Sequence, residues 1–104
     1  SLVIRDENQS TENLAILRHE IDGLDNELLE VLAKRMRVSR DIGRYKKEHR
    51  MSIVQAARYD SIMNSRVKLA IDMGMSGDFM RIVLSAIHEE SVRQQVEVFN
   101  DRIH

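Results

Sequence analysis

The sequence predicts an all-α fold, a three-helix protomer whose N-terminal helix is very long. Three observations lead there. The 104 residues contain no proline and only 4% aromatics, a composition that favours helix throughout. Apolar residues recur at steps of three and four from Leu14 to Tyr45, which is helical periodicity. Helix punctuation then falls at two places, 47–52 and 74–78.

Residues 1–10 show no sustained period after Leu2-Val3-Ile4 and are expected to be a linker or tail, leaving 11–104 as the domain. Ser10 or Thr11 can act as N-cap, with Glu12 favourably placed at the positive end of the helix. From that cap the seam runs Leu14, Leu17, Ile21, Leu24, Leu28, Val31, Val38, Ile42 and Tyr45, with Arg35 filling its one gap. A helix unbroken to about His49 would hold roughly 36 residues and be about 54 Å long. A compact globule of this size has a radius of gyration of about 13 Å. The overhanging seam must be covered, and a second copy can cover it, so the reading is an intertwined helical homodimer. Gly23 and Gly43 interrupt the pattern and mark either irregularity or close backbone approach.

The period lapses over 47–52. Ser52 can cap a second helix from about Ile53 to Met73, with Gln55, Arg58, Ile62, Leu69 and Met73 as its inner stripe. Gly74 suits a left-handed helix end, and Ser76 a fresh N-cap. A third helix to about Arg102 would turn Phe79, Ile82, Val83, Ala86, Ile87 and Val98 inward. The column through Val83 and Ile87 continues into Ser91 and Gln95.

Composition excludes several functions. There is no cysteine, so no disulfide or thiolate metal site can form. The histidines at 19, 49, 88 and 104 lack the spacing of zinc ligands, so no metal or cofactor is expected. His49 and His88 read as surface residues, and the six methionines as core filler. No apolar run reaches the roughly 20 residues that span a bilayer, which leads to the expectation of a soluble, cytoplasmic protein with no membrane partner. A net charge of −1 gives no bulk attraction to nucleic acid. The basic cluster Arg35, Arg37, Arg40, Arg44, Lys46, Lys47 and Arg50 has only Tyr45 for base stacking, so no nucleic-acid partner is expected.

Polar residues interrupt the stripes. Arg35 sits at a heptad core position, where an unpaired guanidinium costs several kcal/mol. Arg18 and Lys46 flank the seam, whole heptads apart, in a column with Asp25, Leu32 and Ser39. Arg58 lies on the second stripe, and Ser91 and Gln95 on the third. Packed by these stripes, the helices would gather cations and neutral donors into a pocket suited to a small dianion. No nucleophile stands beside a base. Each residue alone also has a plainer reading: a core arginine can fix helix register, and a lone Ser or Gln can be satisfied by backbone. Periodicity stops at a dimeric helical protein with an internal basic pocket.

Taken together, however, Leu17-Arg18-x-x-Ile21-Asp22-x-Leu24-Asp25, Ala33-Lys34-Arg35, Ile42-Gly43-x-Tyr45-Lys46, Arg58 and Glu89-Glu90-Ser91-Val92-x-x-Gln95 resemble the all-helical chorismate mutases. The resemblance spans about residues 12 to 100. It implies a dimer of three-helix protomers with two equivalent sites, and rearrangement of chorismate to prephenate in the biosynthesis of phenylalanine and tyrosine. By the same resemblance Arg18 would reach into the partner's site and bind a carboxylate, while Arg35 would clamp a carboxylate from its own chain. Lys46 would lie at the ether oxygen and a carboxylate. Arg58 and Ser91 would hold a carboxylate end, and Gln95 would donate to the ether oxygen. Lys46, Gln95 and Arg35 are thus the expected catalytic groups.

The family often has acids where this chain has Gln55 and Tyr59, acids that would contact the substrate hydroxyl. Both residues here can still accept a hydrogen bond, so retained activity is expected. A fused DAHP synthase is a further expectation of the resemblance. Two other readings remain open: an isochorismate pyruvate lyase on the same scaffold, and a non-catalytic dimerisation or regulatory domain.

Overall fold

A computed structural model describes the backbone of residues 2–101 and the side chains of residues 8–101. Three helices follow one another: α1 (Leu2–Glu48), α2 (Ala56–Asp72) and α3 (Gly77–Asn100). By contacts the chain divides into two units, Ser1–Arg35 and Met36–His104.

The first unit is helical from Leu2 onward. The expected cap at Ser10 or Thr11 is not a helix start, because the helix runs through it. No Pro or Gly precedes position 11, while Arg5, Glu7 and Gln9 are good helix formers, so nothing locally stops the helix from extending upstream. Its seam lies bare in the single chain: Leu17, Leu24 and Leu28 are 56%, 60% and 56% exposed, and Leu14, Ile21 and Val31 are exposed as well. Among the described residues, a Cβ placed on Gly23 would meet nothing within 4 Å.

The second unit comprises the end of α1, α2 and α3. α1 closes in a Schellman turn: the Met51 N–H donates to the Lys46 carbonyl at 2.8 Å and the Arg50 N–H to that of Lys47 at 3.4 Å, satisfying carbonyls that the helix leaves over. Arg50 holds the left-handed position, with φ 55°. α2 closes the same way. Met75 N–H reaches the Ala70 carbonyl and Gly74 N–H that of Ile71, each at 2.9 Å, and Gly74 has φ 91°, as its sequence position predicts. Ser76 caps α3 by accepting from the Phe79 N–H at 3.3 Å, with Asp78 in the first turn.

α2 departs from expectation twice. It begins at Ala56 rather than Ile53, and its N-cap is Gln55, whose side chain makes no capping hydrogen bond. Residues ahead of it are drawn back toward α1, where the Ile53 carbonyl accepts from Lys46 Nζ; an extended Gln55, at φ −122° and ψ 98°, joins that segment to the helix. The inward face is also rotated from the expected stripe. Val67 and Ala70 are buried and Tyr59, Ile62 and Met63 half-buried, whereas Gln55 and Arg58 are exposed and Leu69 and Met73 are 57% and 69% exposed. On α3 the column Val83, Ile87, Ser91 and Gln95 does turn inward, while Phe79, Ile82 and Ala86 face out. α3 ends at Asn100, two residues before the expected Arg102, which lies outside the described residues.

Candidate active site

The centre of the second unit is polar. Ser39, Ser91 and Gln95 are 5%, 7% and 7% exposed, as deeply placed as almost any apolar side chain there. Burying such groups costs free energy unless each is hydrogen-bonded. Ser39 Oγ donates to Ser91 Oγ at 3.0 Å, and among the described residues no side-chain polar atom fully shielded from solvent lacks a partner.

α1 approaches α3 closely enough for this because of Gly43. A Cβ there would stand 3.0 Å from the Gln95 Cα and 3.3 Å from its Cβ and Cγ, so only glycine lets the two backbones come together. One turn on, Lys46 Nζ donates to Gln95 Oε1 at 3.1 Å and to the Ile53 carbonyl at 2.5 Å. Lysine has only donors, so the amide oxygen of Gln95 must face it and the NH2 group must point elsewhere. That leaves Gln95 Nε2 aimed as a donor, with no partner among the described residues. Burial holds the pKa of Lys46 below the ordinary lysine value, since desolvation disfavours the ammonium.

Arg58 lies in the first turn of α2, a turn with no acidic residue and no side-chain cap. Among the described residues it has no ion pair. A cation beside uncapped N–H groups opposes the helix dipole, an arrangement that an incoming anion relieves. Gln55 immediately precedes this turn. Tyr59 packs on α3, its ring 4.1 Å from that of His88 and its hydroxyl 3.5 Å from Ser85 Oγ. His88, expected at the surface, is therefore half-buried.

The structure thus brings together Lys46, Gln95 and Ser91, and places Gln55, Arg58 and Tyr59 at the start of α2. Arg18 and Arg35 belong to the first unit, where both are exposed. Sequence reasoning overlooked Ser39 as a buried partner, although it shares the heptad column of Lys46. It also passed over Arg40, which donates to Gln94 Oε1 at 3.0 Å, while Gln94 Nε2 donates to Glu90 at 2.9 Å. No periodic signal marks these residues, because they pair beside the stripe rather than on it. A hollow of about 450 Å³ lies near the helix ends, lined by Arg44, Lys47, Glu48, Val98 and Asp101, and contains none of the expected site residues.

This polar centre falls within a match to the family model described as chorismate mutase type II, which covers residues 17–96. The chain belongs to the chorismate mutase type II family. Curated relatives agree with that membership. The chain is 32% identical to the T-protein of Haemophilus influenzae over 89% of its own length and 26% of the relative's. It is 35% identical to the T-protein of Enterobacter agglomerans over 75% of its length and 21% of the relative's. It is 28% identical to the 4-amino-4-deoxychorismate mutase of Streptomyces pristinaespiralis over 85% of its length and 68% of the relative's. The chain therefore spans about a quarter of the T-proteins it matches. Among the described residues of this mutase-family chain no group of side chains could hold a metal ion, and no helix is long and apolar enough to cross a membrane.

Proposed function

We propose that this chain is a chorismate mutase, converting chorismate to prephenate without a covalent intermediate. The observation that carries this reading is the part-buried Lys46–Gln95 hydrogen bond, held by Gly43 and the Ile53 carbonyl, within a chain of the mutase family. Chorismate must fold its enolpyruvyl arm over the ring before the carbon–oxygen bond breaks as the carbon–carbon bond forms. Cations at fixed points select that conformer by holding the two carboxylates, which is catalysis by orientation. Arg35 and Arg58 serve this role, with Ser91 beside one carboxylate end. As the bond breaks, charge grows on the ether oxygen. The Lys46 ammonium and Gln95 Nε2 meet that charge with donors already in place, so they stabilise the transition state more than the bound substrate.

The working enzyme is a homodimer. Leucines of an isolated amphipathic helix left more than half exposed do not hold a stable helix in water, and a second copy of the same seam covers them. Arg18 then completes the site of the other subunit. Chorismate is the decisive substrate. With the purified chain its ultraviolet absorbance should fall as prephenate appears; formation of salicylate and pyruvate from isochorismate, with chorismate untouched, would favour the lyase reading instead. No turnover of either would mark the Lys46–Gln95 pair as structural.

A further inference from the structure

At 5% exposure Ser39 is the most deeply buried polar residue among those described, yet the function proposed above gives it no part. It lies inside α1, where serine is a poor choice for stability because its hydroxyl competes for backbone groups. A buried hydroxyl pair also contributes little that two apolar side chains of the same shape would not supply. The position of the pair is more informative. α1 and α3 lie in step here: Ser39 meets Ser91 at 3.0 Å, and one turn further along both helices Gly43 meets Gln95, with Lys46 reaching Gln95 beyond it. The Ser39–Ser91 bond is thus the next rung of the ladder that holds Lys46 and Gln95. Ser91 Oγ also approaches Met36 Sδ at 3.9 Å, a weak acceptor.

We propose that Ser39 is a positioning residue for a substrate carboxylate: it donates to Ser91 and so fixes the Ser91 hydroxyl as a donor aimed at that carboxylate. The inference rests on the mutase reading above, in which Ser91 stands beside a carboxylate end. A carboxylate only accepts, so Ser91 must direct its one proton to it, which leaves the lone pairs of Ser91 open to a donor. Ser39, 3.0 Å away and shielded from water, is that donor already in place. With the bond reversed, Ser91 would give its proton to Ser39 and meet the carboxylate with lone pairs alone. In the productive direction each hydroxyl polarises the next, and the outer bond to the carboxylate strengthens. The Met36 thioether is a resting acceptor for the Ser91 proton, readily displaced by a charged oxygen.

The test measures KM and kcat for chorismate in the full chain and in its Ser39→Ala, Ser91→Ala and doubly substituted variants, with the melting temperature of each. The carboxylate is held both before and during the rearrangement, so a weaker hold raises KM and spares kcat. Ser39→Ala is expected to raise KM about fivefold, the order of one neutral hydrogen bond. Because Ser39 acts through Ser91, the same substitution made in Ser91→Ala should raise KM no further. A merely structural serine would lower the melting temperature and leave KM alone, or change KM by the same factor in both backgrounds. Ser39→Cys keeps the shape and donates only weakly; it should also raise KM, and it replaces the alanine variant if that one does not fold. Folded Ser39 variants or Ser91→Ala with unchanged KM, or an equal rise with and without Ser91, overturn the proposal and leave the mutase reading standing. No turnover of chorismate by the unaltered chain overturns the mutase reading and this inference with it.

Discussion

Lys46 is subject to opposing effects. Half-burial lowers its pKa, while the task proposed for it at the ether oxygen requires the ammonium. The ammonium is lost at a lower pH than in an ordinary lysine. Gln95 has no proton to lose, so kcat/KM should be flat from mildly acid to mildly alkaline pH and fall below the ordinary lysine range. In Lys46→Arg any residual activity should lose that alkaline fall, because guanidinium stays charged. A sharp loss between about pH 5 and 8 in the folded protein would contradict this assignment of the donors. Lys46→Ala should cost on the order of 3 kcal/mol, about a hundredfold in turnover. That each of these two residues lies on a helical column was legible in the sequence, while the roles proposed for them came from the family resemblance. Their mutual hydrogen bond was not legible, since it depends on how close α1 comes to α3.

That closeness is a property of the elements, and Gly43 sets it. Glycine inside a helix normally costs about 1 kcal/mol relative to alanine, so on propensity alone Gly43→Ala should stabilise. Against the Gln95 backbone at 3.0 Å the added methyl must instead push α3 away. The melting temperature should fall and turnover with it, as thermal denaturation and a chorismate assay on the same sample would show. Arg50 predicts the opposite sign. It occupies a left-handed helix end that glycine adopts without strain, so Arg50→Gly should stabilise by about 1 kcal/mol in urea denaturation. Helix ends marked by glycine and serine, at Gly74 and Ser76, were readable in advance. The start of α2 was not, because Ser52 resembles a cap while the chain there is extended to deliver the Ile53 carbonyl. The inward face of α2 was missed for a related reason: both Ile62, Leu69, Met73 and Met63, Val67, Ala70 carry helical spacing, and periodicity cannot say which row its own chain covers.

At the scale of the molecule, the homodimer proposed above would make the seam of α1 tie stability to association. Its leucines lie exposed in the single chain, and Arg18, on the first unit, is the cation proposed to hold substrate. If a second copy covers the seam, Arg18 acts in the partner's site, and catalysis belongs to the pair of chains. Sequence periodicity carried this far because a long heptad seam has few ways to be buried. How α1 continues upstream of Ser10 was less legible, since Ser and Thr suit a cap but do not compel one.

Arg18→Ala and Lys46→Ala, each purified and each nearly inactive, test the shared site when unfolded together and refolded as a mixture. Mixed dimers would then contain one site with both cations intact, and activity should return to roughly a quarter of that of the unaltered protein, as random pairing of a symmetric dimer dictates. A mixture no more active than its two components, despite demonstrated exchange of subunits, would contradict the account.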